Sequence, residues 1–237
     1  MIVITAVLAL VASFVGTLAG FGIATIMLPL LLTFLPTDQA IVLVAIIHWF
    51  NDIWKLWFFR KGINRQLFLY FGIPSVLCSI LGAFMVTTIP FAFFHRILGL
   101  FLILYVLMLY FFPHVRIPSS RGYELLGGAL SGFSAGFFGI RGVITSSFLL
   151  AYQLHKEIFL ATIGAIALLI DSARIMVYFQ QGMRLTAENS YWLLLFIGAS
   201  FVGAYAARLC VTRISQEKFR ALVAVLIGVV GLKLLFW

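Results

Sequence analysis

"GALSGFSAGFFGIRGVITSSFLL", residues 128–150, is apolar enough to lie in a membrane, yet it contains five glycines and an arginine. Glycine inside a helix costs about 1 kcal/mol relative to alanine. An arginine at mid-membrane costs about 2.5–3.5 kcal/mol on insertion scales, and persists where it is paired or faces water. The stretch belongs to an apolar run over 123–151, longer than the roughly 20 residues of one crossing. A second long run, over 2–35, holds "GTLAGFG" at 16–22. Both runs read as broken helices.

The surrounding composition fixes the solvent. Of 237 residues, 64% are hydrophobic and only 10% charged, far below the quarter charged share of soluble domains. The chain reads as an integral membrane protein. Its apolar runs are long rather than short and alternating, which favours helices over a barrel. The net charge of +9 would suggest nucleic acid in a soluble protein. Here the basic residues cluster in short connections and report topology instead, so no nucleic-acid partner is expected. Met1 leads straight into apolar sequence without a basic n-region, so a cleaved signal peptide is not expected. Cys78 and Cys210 lie in apolar segments without metal-like spacing and read as small core residues. No hydrolase elbow, P-loop, catalytic carboxylate pair or Cys/His metal cluster is present in the pattern. An enzyme is therefore disfavoured, and no cofactor or metal is expected.

Single spans are expected near 40–59, 67–88, 94–112, 158–179, 191–211 and 219–236. The two interrupted runs open two stretches that resemble each other, a pattern that calls for a repeat search before any fold assignment. "DIWK" at 52–55 matches "DSAR" at 171–174. Gly62 and Gly182 follow, then "SILGA" from Ser79 and "SFVGA" from Ser200. The connection near 113–122, with Pro113 and Pro118, is the seam. The expected architecture is an all-α polytopic bundle of two repeats, 1–116 and 117–237, within one transmembrane domain.

Basic residues decide the orientation of the repeats. Setting Lys55, Arg141 and Arg174 inside the membrane leaves 13 of the 16 Lys and Arg. If each broken run turns back, ten lie on the cytoplasmic side against three outside, Arg96, Arg184 and Lys233. If each crosses once, the split is seven to six. The positive-inside rule thus favours re-entrant hairpins and inverted repeats, with both termini outside the cytoplasm.

A hairpin that stops at mid-membrane presents bare amides and a helix dipole that favour an anion, and broken helices at a repeat interface are a common site of secondary transporters. Candidate anion contacts are Gly20 and Gly22 in the first break, and Gly136, Gly139, Arg141 and Gly142 in the second. For Gly16, Gly128 and Gly132, close helix packing is the preferred reading. Thr25, Thr145, Ser146 and Ser147 follow the breaks and either contact a ligand or cap the returning helices. Arg141 has two readings, a bidentate hold on a sulfonate, sulfite or carboxylate group, or an ion pair with Asp171 or Asp52. Asp52 with Lys55 and Asp171 with Arg174 share helix faces at i,i+3 and can neutralise each other. With His48 one turn before Asp52, the same groups also suit proton coupling. Asn51 and Ser172 could add uncharged hydrogen bonds, although serine in a membrane helix usually bonds its own backbone.

Together "GTLAGFGIATIMLPLLL", "GALSGFSAGFFGIRGVITSSFLL" and "LLIDSARIMVYFQQG" resemble the sulfite exporter TauE/SafE family of membrane permeases, over nearly the whole chain. The resemblance implies a duplicated helical permease in the cell membrane for small sulfur-containing anions such as sulfite or organosulfonates, often exported. The chain departs from that pattern in a minimal first break, "GFGIA", and in Arg141, where the family often has glycine. A channel-like facilitator for another small anion and a non-transporting membrane scaffold are the alternatives. Lipid and a small anion are the expected partners, and both proton coupling and a homo-oligomer are compatible with the residues.

Overall fold

The structure is a computed structural model that describes residues 2–19, 22–58, 62–111, 118–150, 152–210, 228, 229 and 231–236. Its elements are α1 (Ile2–Ala19), α2 (Ala24–Leu31), α3 (Thr37–Phe58), α4 (Arg65–Tyr70), α5 (Gly72–Thr88), α6 (Phe91–Phe111), α7 (Arg121–Phe138), α8 (Gly142–Leu150), α9 (Lys156–Gln180), α10 (Ala187–Tyr191) and α11 (Leu193–Cys210). A further helical piece covers 231–236, and no strand occurs among the described residues.

Among the described residues, four helical stretches are long and apolar enough to cross a membrane: Thr37–Phe58, Arg65–Thr88, Phe91–Met108 and Glu157–Gln180. The expected span over 191–211 is a shorter apolar helix, Leu193–Leu209. The one expected over 219–236 lies mostly outside the described residues. Arg65–Thr88 is two elements, because the chain turns at Phe71 between α4 and α5. Local chemistry sets these starts: the Asn64 side chain accepts from Leu67 N at 3.0 Å, capping α4, and Thr186 accepts from Asn189 N at 3.3 Å, capping α10. Each cap satisfies an amide that has no partner inside its own helix.

Both long runs are interrupted. The second breaks at Gly139, whose φ of 71° is left-handed and whose N–H bonds to Ser134 O, ending α7. The Ser134 hydroxyl also donates to Ile140 O, so the turn is tied at both ends. The first run breaks around Gly22, φ 84°, and Gly16 lets that turn lie on α1: a Cβ there would sit 2.6 Å from Gly22 C.

Small residues decide which helices touch, as expected where lipid gives no hydrophobic drive to association. Gly128, Gly132 and Gly136 form an i,i+4 stripe on α7 that presses on α5. A Cβ at Gly132 would fall 2.0 Å from Ser75 O, and one at Gly136 2.0 Å from Ser79 O. Ser75 Oγ donates to Gly128 O at 2.9 Å across the contact. The same device joins α1 to α11, where a Cβ at Gly203 would lie 2.2 Å from Leu10 O and Ser13 Oγ donates to Ser200 Oγ at 2.9 Å. The packing resolves into two groups: α1, α2, α3, α10 and α11 touch one another, as do α4, α5, α7, α8 and α9. Their main joint is α3 against α9. Leu77, Leu81 and Leu104 point outward, more than half exposed, a surface suited to lipid rather than water.

Candidate functional site

α3 and α9 meet along faces that bear charge. On α3 the spacing i, i+3, i+4, i+7 puts His48, Asn51, Asp52 and Lys55 on one side. On α9 the spacing i, i+3, i+7 does the same for Asp171, Arg174 and Tyr178. All seven are buried, none more than 6% exposed. Into this joint the α7–α8 break delivers Arg141, itself 5% exposed.

Arg141 bridges the two aspartates. Its Nη2 donates to Asp52 Oδ2 at 2.7 Å and its Nη1 to Asp171 Oδ1 at 2.9 Å. Each aspartate also holds the cation of its own helix: Lys55 Nζ lies 3.0 Å from Asp52 Oδ1, and Arg174 Nε 2.8 Å from Asp171 Oδ1. His48 closes the ring, its Nδ1 2.5 Å from Asp171 Oδ2 and 3.3 Å from Asp52 Oδ2. The short contact fits an Nδ1–H donating to Asp171. Both i,i+3 pairs anticipated from the sequence are present, and Arg141 pairs with both aspartates rather than with one. The cluster therefore ties α3, α9 and the second break together.

The two breaks reach the cluster through their left-handed glycines. A Cβ at Gly22 would lie 3.0 Å from His48 Nε2. One at Gly139 would lie 3.2 Å from Arg174 Nη1 and 3.4 Å from Leu28 Cδ2 of α2. Only glycine both tolerates this φ and leaves room for a charged neighbour. Arg174 Nη1 also donates to Ala135 O at 3.1 Å, which holds the guanidinium against the end of α7.

Other candidates sit differently. Gly136 lies in the α5–α7 contact, and its carbonyl accepts from Tyr178 OH at 2.6 Å. Thr145 is paired across the break with Ser131, Oγ to Oγ 2.5 Å. Thr25 is buried on α2, and Gly142 opens α8. Ser147, also on α8, is half-buried. Ser172 donates to Leu168 O at 2.7 Å, its own backbone, and accepts from Trp49 Nε1 at 2.8 Å. Asn51 is fully buried, with neither amide atom partnered among the described residues. Gly20 and the Ser146 side chain lie outside what the structure describes. Tyr178 and Ser134 were not singled out from sequence; Tyr178 continues the Asp171–Arg174 face, a spacing that could have revealed it.

His48, Asp52 and Asp171 bring ligand-type atoms within 4.8 Å of one another, the size of a cation site. The fit fails on charge, because every carboxylate oxygen already faces a cationic or imidazole partner. A divalent ion would have to displace Arg141.

A helical bundle with several membrane-crossing helices and a buried ionic joint defines a multi-pass membrane protein. The chain belongs to the sulfite exporter TauE/SafE family, whose model matches residues 5–234. That is a family of membrane transporters for sulfite and related sulfur anions, not a class of enzymes. No curated protein and no solved structure is significantly similar to the chain.

Proposed function

We propose that the protein is a cell-membrane permease that exports a small sulfur-containing anion, sulfite or an organosulfonate, bound where the two helix breaks approach each other. In this reading residues 1–116 and 117–237 are inverted repeats, and each break is the tip of a re-entrant hairpin. One observation carries it: a buried ionic cluster rich in cations sits between two left-handed glycine turns, each followed by a helix start. Helix starts favour anions, and irregular backbone at membrane depth survives where it lines a protein-covered site. Arg141 acts as the internal counter-ion of Asp52 and Asp171, while the amides just after Gly22 and those of Arg141 and Gly142 face the anion; the Gly139 and Ile140 amides are taken by Ser134 O.

Reconstitution in liposomes tests the reading. Saturable uptake of sulfite or sulfonates is the expected result. Flux without saturation would make it a facilitator, and the absence of flux a scaffold. Proton coupling through the same aspartates predicts pH-dependent flux that is lost in Asp52→Asn or Asp171→Asn. Unchanged pH dependence in both variants removes them from that role.

A further inference from the structure

We infer that the site is matched to a single negative charge: it takes a monoanion, such as bisulfite or a monosulfonate, and rejects a dianion of the same size. The inference rests on the transport reading above and narrows its substrate class.

The charges of the cluster do not cancel. Among the described residues, the carboxylates that Lys55, Arg141 and Arg174 face are those of Asp52 and Asp171. With an uncharged imidazole at His48, one positive charge is left over. Among the described residues no further carboxylate reaches it. Glu124, the other buried acid among the described residues, lies in the first turn of α7, where its Oε1 accepts from Gln66 Nε2 at 2.7 Å.

Nor can the surplus be absorbed by rearranging the pairs. Asp52 already accepts Arg141 and Lys55 on separate oxygens. Asp171 accepts from Arg141 and lies against the Arg174 guanidinium on one oxygen, and meets His48 on the other. Three donors of the cluster, Arg174 Nε, Arg174 Nη2 and Asn51 Nδ2, are buried without a hydrogen-bond partner among the described residues, although Nε keeps its ionic contact with Asp171. A buried donor without an acceptor is a standing cost, and so is a buried charge without a counter-charge. An anion with one charge and several acceptor oxygens meets both needs. The Arg174 guanidinium lies against the bare Cα of Gly139 at the break.

A second negative charge reverses the balance. It would leave the site negative in a low-dielectric setting, with two aspartates close by, and rejection by like charge is a standard source of specificity.

Methanesulfonate and sulfate are close in size and differ by one charge. Their binding to the purified protein in lipid nanodiscs is to be compared by calorimetry at about pH 8, above the ordinary imidazole range. The expected result is methanesulfonate binding at least about tenfold tighter than sulfate, a difference of about 1.4 kcal/mol. Asp52→Asn raises the surplus to two and is expected to swing preference toward sulfate. Lys55→Gln removes the surplus and is expected to weaken methanesulfonate binding about tenfold or more. Should Asp52→Asn fail to fold, the wild-type ratio and Lys55→Gln decide. Sulfate binding as tightly as methanesulfonate overturns the inference and leaves the transport reading standing. Binding of neither, together with no sulfite or sulfonate flux in liposomes, overturns both.

Discussion

At the α1–α2 break the left-handed residue is Gly22, set against the His48 imidazole; at the α7–α8 break it is Gly139, set against the Arg174 guanidinium. Two residues further on the breaks diverge, to Ala24 in the first and Arg141 in the second. The helices that follow diverge in the opposite sense. His48 stands one turn before Asp52 on α3, while Ala167 stands one turn before Asp171 on α9. The backbone device is repeated and the charge is not. A single arginine suffices because it reaches both aspartates, and a second at position 24 would enlarge an already positive surplus.

Removing the asymmetric element has the largest expected effect. Arg141→Met removes the two buried charge-assisted hydrogen bonds that link Asp52 to Asp171 and should cost about 3–5 kcal/mol, measured as thermal unfolding in nanodiscs. A loss under about 1 kcal/mol would mean that Lys55 and Arg174 alone balance the aspartates.

Next come the two small-residue contacts, which should behave alike. Gly132→Ala and Gly203→Ala both push a methyl into facing backbone, at 2.0 and 2.2 Å, and each should cost about 1–3 kcal/mol. A large effect at one position only would show that the two contacts carry unequal loads.

The breaks themselves can be compared by Gly22→Ala and Gly139→Ala. Both force a side chain into the left-handed region, at about 1–2 kcal/mol. At 139 the methyl also meets Arg174 and Leu28, whereas at 22 it meets only the His48 ring. Flux should therefore fall further in Gly139→Ala than in Gly22→Ala, read by uptake at matched expression. The smallest effect is Ser13→Ala, which removes one buried hydroxyl pair with Ser200 and should cost about 0.5–1.5 kcal/mol.

Much of this was legible in the residues. Glycine spacing located both breaks, and i,i+3 spacing predicted the Asp52–Lys55 and Asp171–Arg174 pairs, because both depend only on local helix geometry. The role of Gly136 was open to the same reasoning, since it continues the i,i+4 series of Gly128 and Gly132, yet its place beside the break drew it to the ligand. What sequence could not supply is contact across separate helices. That Arg141 reaches Asp52, 89 positions earlier, or that Thr145 pairs with Ser131, depends on where α3, α8 and α9 come to rest. Sequence marks Asn51 only as a polar residue, and its lack of a partner among the described residues is a property of the packed state.

The α1–α11 contact joins residues 187 positions apart, whereas α5 meets α7 soon after α7 is made. During synthesis, where domains form from the N-terminal end, α5 and α7 can dock while the chain is still growing. The stripe of α1 that receives Gly203 must wait, facing lipid or a chaperone, until nearly the whole protein has entered the bilayer. Docking of α11 is then a late step of biogenesis, and a chain truncated before it would leave its first helix without its main partner.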